Sequence, residues 1–181
     1  MNATIILKIL DKTFVVQGVK NATIDNVEKV YTSFEKIANN TIMLLADSKF
    51  VAGIRHIELL LCQHLKAESD GLLYARKSGF DLLARVSCQT QLNQVVTISG
   101  LKKGTMNLVI ILNDEKLSNE LKLKLSSIGT LDDRVIYLDN LKKQFLLKYH
   151  NLEQSVFKST HEDENLFPLI LAEKSALLAV E

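Results

Sequence analysis

The sequence has only two cysteines, Cys62 and Cys88, among its 181 residues. Two cysteines are too few for a disulfide framework and show no metal-ligand spacing, which fits a reducing cytoplasm. We expect both to be small buried side chains. The alternative, a cysteine nucleophile of a hydrolase or transferase, lacks an evident oxyanion site or orienting group. The sequence therefore predicts a protein that is not an enzyme and has no metal, other cofactor or small-molecule substrate.

Long apolar runs and an excess of one charge are also missing. The chain has neither a run of about 18 apolar residues nor a cationic, apolar leader, so we expect no membrane span, no signal peptide and a cytoplasmic location. With 22 basic and 21 acidic side chains, the formal charge is +1. Attraction of the whole molecule to nucleic acid or an acidic membrane is therefore not predicted, and such binding would need a local patch.

The middle of the chain is its only basic part. Residues 49–112 carry eight basic side chains against four acidic ones. Cations beside an aromatic ring are typical of surfaces that bind single-stranded nucleic acid. The alternative is a scattered set of solvated cations. The candidate RNA-binding residues are Arg55, Lys66, Tyr74, Arg76, Lys77 and Arg85.

Apolar periodicity predicts an α+β fold over residues 1–181, a single domain with a small mixed or antiparallel sheet and several packed helices. Asn21 or Thr23 is expected to cap the first helix, Ser78 a helix in the basic region, and Asp139 a later one. The strand candidates are residues 5–10, 13–18, 41–46, 107–113 and 135–138. The helix candidates centre on residues 27–37, 54–66, 82–86, 92–99, 117–125, 139–148 and 166–178.

Two of these helices have apolar residues beyond one core face. On the helix of residues 54–66, Leu59 lies with Arg55, His56, Gln63 and Lys66 on the side away from the core. An outward leucine between cations is either a partner contact or a single solvated side chain.

The terminal helix has two apolar stripes. One contains Phe167, Leu171 and Leu178, and the other contains Leu166, Leu169, Ile170, Ala176, Leu177 and Val180. Such a helix is either buried nearly all round or shared between its own core and another protein. If the first stripe is uncovered, Phe167, Leu171 and Leu178 become partner-binding residues, together with Leu59.

The order of motifs resembles the small kinase-binding, tRNA-recruiting subunit of the KEOPS complex, also called the PRPK-binding protein family. That family has a basic Arg, a Glu-Ile-Leu helix, a Ser-Gly-x-Arg-Gln-Ile turn, a Phe-Gly helix end and a hydrophobic strand. Residues of this chain match each motif in the same order. They are Arg76, Asp81-Leu82-Leu83, residues 87–92, Ser99-Gly100-Leu101 and residues 108–112. Further similarity covers residues 19–22, 56–60 and 171–178.

The chain also departs from this pattern. Cys88 and Thr90 stand where many relatives have Gly and Arg, and Ser99 replaces the Phe before Gly100. An arginine contact to RNA at position 90 is therefore not carried over.

The resemblance implies a non-catalytic subunit of the complex that makes threonylcarbamoyl adenosine in tRNA. Such a subunit binds the KEOPS protein kinase and holds tRNA at its single-stranded CCA end. The alternative is a cytoplasmic protein-interaction module without RNA affinity.

Overall fold

Seven α-helices and a five-stranded antiparallel sheet make up the computed structural model, which describes residues 4–38, 41–152 and 166–178. The α+β class predicted from the sequence is confirmed. The strands are β1 (Ile5–Ile9), β2 (Lys12–Ile24), β3 (Ile42–Asp47), β4 (Gly104–Leu112) and β5 (Thr130–Leu131). The helices are α1 (Val27–Ile37), α2 (Ile54–Asp70), α3 (Ser78–Ser87), α4 (Leu92–Ser99), α5 (Asn119–Ile128), α6 (Asn140–Tyr149) and α7 (Leu166–Leu177).

The sheet is built around β2, its longest strand. The order is β1-β2-β4-β3, and β5 pairs with the second half of β2. β1 and β2, which correspond to the predicted strands at 5–10 and 13–18, form a hairpin in which Ile9 faces Lys12 across a tight turn. Leu10 occupies that turn with a positive φ of 55°. A leucine is strained there because its Cβ crowds the backbone.

Alternating side chains of the sheet enter two separate cores. Phe14 and Val16 of β2 belong to a core shared with α2, α3 and α4, which we call the α3 core. Val15 and Val19 belong to a core shared with α1 and α5, which we call the α5 core. Because successive side chains of a strand point to opposite faces, helices cover both faces of the sheet. The central strand β4 is accordingly buried on both sides over residues 108–112, as its continuous apolar run predicts.

Local polar contacts decide several boundaries. Asp139 caps α6 by accepting a hydrogen bond from the Lys142 N–H at 2.7 Å, as predicted. The predicted caps of α1 are wrong, because Asn26 takes that role by accepting from the Lys29 N–H. The predicted strand at residues 135–138 is also wrong. A 3₁₀ turn at Asp133–Val135 stands there instead, and its N-cap Asp132 accepts from the backbone N–H of Arg134.

Candidate nucleic-acid interface

The link between α2 and α3 carries three of the predicted RNA-binding residues, Tyr74, Arg76 and Lys77. α2 ends at Gly71, which has a left-handed φ of 71° and donates its N–H to Glu68 O. Glycine reaches this conformation at little cost, so the chain can leave the helix sharply there. Arg76 and Lys77 are exposed, and Tyr74 is half-buried. We call residues 72–77 the basic loop.

Arg76 and Lys77 border a cavity of about 300 Å³ beside the edge strand β3. Its remaining lining residues are Tyr31, Glu35, Met43, Ser78 and Gly79. The Lys77 ammonium lies 3.8 Å from a Glu35 carboxylate oxygen, so an anion already faces one of the two cations. Burial, and then the Glu35 carboxylate, raise the pKa of Tyr31 to about 12, which keeps its hydroxyl protonated at neutral pH. The cavity can offer hydrogen-bond donors to an anion, but the charge of Lys77 is partly neutralised by Glu35.

The start of α3 differs from the predicted one. Lys77, not Ser78, is the N-cap, and its side chain makes no capping hydrogen bond. Ser78 is instead the first residue of the helix.

Arg85 is not available for RNA, which corrects the sequence prediction. Its side chain is only 4% exposed. Its Nε donates a hydrogen bond to Asp81 Oδ2 at 2.7 Å, one helical turn away. A buried guanidinium needs such a partner, because charge taken out of water is costly unless it is paired. Every residue of 81–88 is buried by neighbouring elements. Apolar periodicity predicts only one buried face for a helix, so the sequence did not indicate that Arg85 is buried.

Tyr74 is also partly engaged inside the protein. The Arg85 guanidinium lies over its ring, 4.9 Å from the centroid. Its hydroxyl is buried and has no hydrogen-bond partner within the described residues. Burial raises the pKa of Tyr74, with a smaller opposing effect from Arg85. One face of the ring is therefore occupied, which limits its use as a stacking platform for a base.

Arg55 and Lys66 lie at opposite ends of α2. Eleven residues separate them, which places both on one side of the helix but roughly 16 Å apart along its axis. Each has an acidic neighbour on the same helix: Arg55 lies 3.1 Å from Glu58 and Lys66 lies 3.2 Å from Asp70. The structure thus places Arg76 and Lys77 together and leaves Arg55 and Lys66 as separate exposed pairs.

The sequence does not predict a second group of cations, which consists of Lys49 and Lys102. Both ammonium groups approach the Asp47 carboxylate, at 3.3 Å and 3.7 Å respectively. Lys49 also lies 5.0 Å from the centroid of the Phe145 ring. Because Lys49, Lys102 and Phe145 come from three distant segments, no sequence window contains this group. The adjacent Lys49 and Phe50, a cation beside an aromatic residue, are the local sequence feature that could have indicated this group.

The terminal helix presents the opposite stripe from the one predicted for partner binding. Phe167 and Leu171 are each only 1% exposed and pack with Ala52, Leu146 and Leu147. Of the two alternatives left open for this helix, Phe167 and Leu171 therefore follow burial, since α6 and the segment before α2 cover them, and they are not the uncovered partner-binding residues that the other alternative requires. Leu178 is half-buried, whereas Leu169 and Leu177 of the other stripe are 42% and 55% exposed.

Leu59 lies on a side of α2 that α7 approaches. One turn after it, the Gln63 amide donates a hydrogen bond to Ala172 O of α7 at 2.7 Å. Leu59 itself is half-buried. His56, predicted to face outward, is instead buried, and its Nδ1 accepts from the Ala52 N–H.

The cysteines differ in environment. Cys62 is exposed, so the prediction that it is buried is wrong, whereas Cys88 is buried at the end of α3 as predicted. Burial raises the pKa of the Cys88 thiol to about 12, so it is protonated at neutral pH and a weak nucleophile. Among the described residues, no group of three or more His, Cys, Asp and Glu side chains is placed to hold a metal ion.

No protein-family model and no curated protein sequence matches the chain. None of the helices in the described part of the chain is long and apolar enough to cross a membrane.

Proposed function

We propose that this protein is a non-catalytic adaptor of the KEOPS type, which binds the complex's protein kinase and recruits tRNA through its CCA end. The observation that carries the proposal is the basic loop. Arg76, the residue that matches the family's basic Arg, lies exposed beside Lys77 at the rim of a cavity. The order of motifs in the sequence supports the same assignment.

RNA binding would rest on fewer residues than the sequence suggests. Arg76 and Lys77 are the central contacts, and Lys66 is a separate exposed cation on α2 that could add a third. Arg85 is removed from the set because it is paired inside the protein. Thr90 is exposed and carries no charge, so it cannot replace the arginine of the family's turn. With two or three phosphate contacts, affinity should be modest and should fall with salt at a slope of about −0.7 per phosphate.

Kinase binding would use the exposed stripe of α7. Leu169 and Leu177 remain uncovered in the isolated chain. Leu178, which belongs to the other stripe, is half-buried just after the end of α7, and half-buried Leu59 lies on the neighbouring α2. Exposed leucines on one helix are the kind of apolar surface that protein interfaces bury at their centres.

A protein-interaction module without RNA affinity is the second candidate function. The acidic partners of the basic residues favour it: Glu58 pairs with Arg55, Asp70 with Lys66, and Glu35 lies near Lys77. Each pairing lowers the local positive potential that RNA would meet. In this second candidate function, the exposed stripe of α7 still binds a partner protein, and the basic loop does not bind RNA.

Charge removal separates the two functions. We would measure binding of a short single-stranded RNA ending in CCA, and of the same RNA without CCA, over a range of salt concentrations. The Arg76→Gln/Lys77→Gln double variant should weaken binding and reduce the salt slope by about 0.7 for each lost phosphate contact. The matched control is Lys122→Gln/Lys124→Gln on α5, which removes the same charge from a helix on the α5 core.

Unchanged affinity in the Arg76→Gln/Lys77→Gln variant, or equal losses in both double variants, would leave the interaction module as the better description. Equal affinity for RNA with and without CCA would remove the specific role in holding the tRNA end. The kinase arm is tested separately by Leu169→Asp and Leu177→Asp. These variants should stay folded and lose affinity for the KEOPS kinase, because each puts a charge into the contact.

A further inference from the structure

A buried carboxylate ties the basic loop to the two helices that flank it. Asp81 of α3 is 0% exposed. Its Oδ1 accepts a hydrogen bond from the backbone N–H of Tyr74 at 2.9 Å. Its Oδ2 lies 2.6 Å from His64 Nδ1 of α2 and accepts from Arg85 Nε at 2.7 Å. One side chain therefore holds the loop, α2 and α3 together.

The contact with Tyr74 is to the backbone, so it fixes the path of the loop rather than the position of one side chain. The Arg85 guanidinium then covers the Tyr74 ring at 4.9 Å from its centroid, which secures the same residue a second time. Tyr74 is two residues before Arg76 and three before Lys77. The directions in which these two cations leave the protein surface depend on this anchored residue.

The electrostatics are consistent with a firm anchor. Burial alone would raise the pKa of Asp81, but hydrogen bonds from His64 and Arg85 hold it below its usual range, so the carboxylate stays charged. Hydrogen bonds to a charged, buried acceptor are stronger than those between neutral groups. A buried ion pair adds little net stability compared with apolar packing, and its best-attested use is to specify one arrangement.

We propose that Asp81 is a positioning residue for RNA. It preorganises the backbone of the basic loop, so that the loop need not become ordered when Arg76 and Lys77 bind phosphates. This inference rests on the proposed function. Arg85, assigned to RNA from its charge, acts through Asp81 and Tyr74 and touches no ligand.

The test compares Asp81→Asn with Arg76→Gln/Lys77→Gln, using the single-stranded RNA ending in CCA. Asn preserves the size of the side chain but loses the charge that holds Arg85 and His64. The phosphate-binding cations remain, so the salt slope should be unchanged while affinity falls by on the order of tenfold, roughly the cost of ordering the backbone of one loop residue on binding. Removing the cations themselves should lower both affinity and slope. Amide hydrogen exchange at Tyr74, measured without RNA, should be faster in Asp81→Asn than in the wild type.

A general loss of stability must be distinguished from a loss of positioning. Leu125→Ala in the α5 core is the matched control, since it should lower the melting temperature and leave RNA affinity unchanged. If Asp81→Asn does not fold, Asp81→Asn/Arg85→Met takes its place, because it leaves no unpaired charge. It should give the same drop in affinity at a constant slope.

The outcomes separate this inference from the proposed function. A wild-type protein without RNA affinity overturns both. A wild-type protein that binds RNA through Arg76 and Lys77, with wild-type affinity in folded Asp81→Asn, overturns only the positioning role. An equal loss of affinity in Leu125→Ala, or a salt slope in Asp81→Asn as low as that of the double-charge variant, also counts against positioning.

Discussion

Truncating Leu171 to alanine tests whether α7 belongs to the core of this chain. Leu171 is 1% exposed and packs with Phe167, Leu146 and Leu147. Removing a buried leucine side chain costs its transfer free energy plus that of the remaining cavity, together roughly 2–5 kcal/mol. In a chain of this size, each kcal/mol lowers the melting temperature by about 2–4 °C. We expect Leu171→Ala to melt roughly 5–20 °C below the wild type.

The control is Leu169→Ala, two residues earlier on the same helix. Leu169 is 42% exposed, so its truncation removes fewer contacts. We expect its change in stability to stay within about 1 kcal/mol. Both variants remove the same atoms from the same helix, so intrinsic helix propensity cancels and burial is the remaining difference.

Urea unfolding followed by circular dichroism measures both free energies, and affinity for the proposed partner, the KEOPS kinase, is measured on the folded fraction. Leu171→Ala should bind the kinase normally once it is folded. Equal stability of Leu171→Ala and the wild type would refute the burial of α7 against α6. A stable Leu171→Ala that loses the kinase would restore the Phe167–Leu171 stripe as the docking surface.

Three further predictions concern buried histidines, the cysteines and the β1–β2 turn. Burial lowers the pKa of His56 to about 3 and that of His150 to about 4. The unfolded chain therefore binds more protons below about pH 6.5, and stability should fall by about 1.4 kcal/mol per pH unit for each histidine between pH 6.5 and 4. Urea midpoints that stay constant between about pH 7 and 5 would contradict this. A thiol reagent should modify exposed Cys62 in the native protein and buried Cys88 only after unfolding, whereas fast reaction of both would show that Cys88 is accessible. Leu10→Asn should raise the free energy of unfolding by about 0.5–1 kcal/mol, because asparagine tolerates a positive φ and Leu10 is 79% exposed. A loss of stability would show that the contacts of Leu10 stabilise the turn by more than the backbone strain costs.

Local signals account for what the sequence predicted correctly. The β1–β2 hairpin follows from two β-prone runs separated by two residues. β4 follows from an apolar run that is too short for a buried helix. The Asp139 cap of α6 depends on residues within one turn of that boundary. Each of these features is encoded within a few neighbouring residues.

The errors in the candidate site have a different origin. Arg85 has the charge of an RNA contact, but its partner Asp81 lies 4 residues away and is shared with His64, which is 21 residues from Arg85, and only folding encloses the three. Asn21 was a reasonable helix cap, yet it lies at a bulge of β2 and donates its N–H to Asn107 Oδ1. Lys49 and Lys102 share Asp47 although 53 residues separate them.

The sequence by itself determined the α+β class, most of the strands and helices, and a basic middle segment. The spacing of apolar residues and the charge of a segment can both be read from residues that are close together along the chain. Tertiary structure alone decided which apolar stripe of α7 is covered and which cations remain free. Phe167 and Leu169 are equally apolar, and Arg76 and Arg85 are equally charged, so no local pattern distinguishes the members of either pair. Their exposure depends on α6 packing against α7 and on Asp81 meeting Arg85, His64 and Tyr74 in the α3 core.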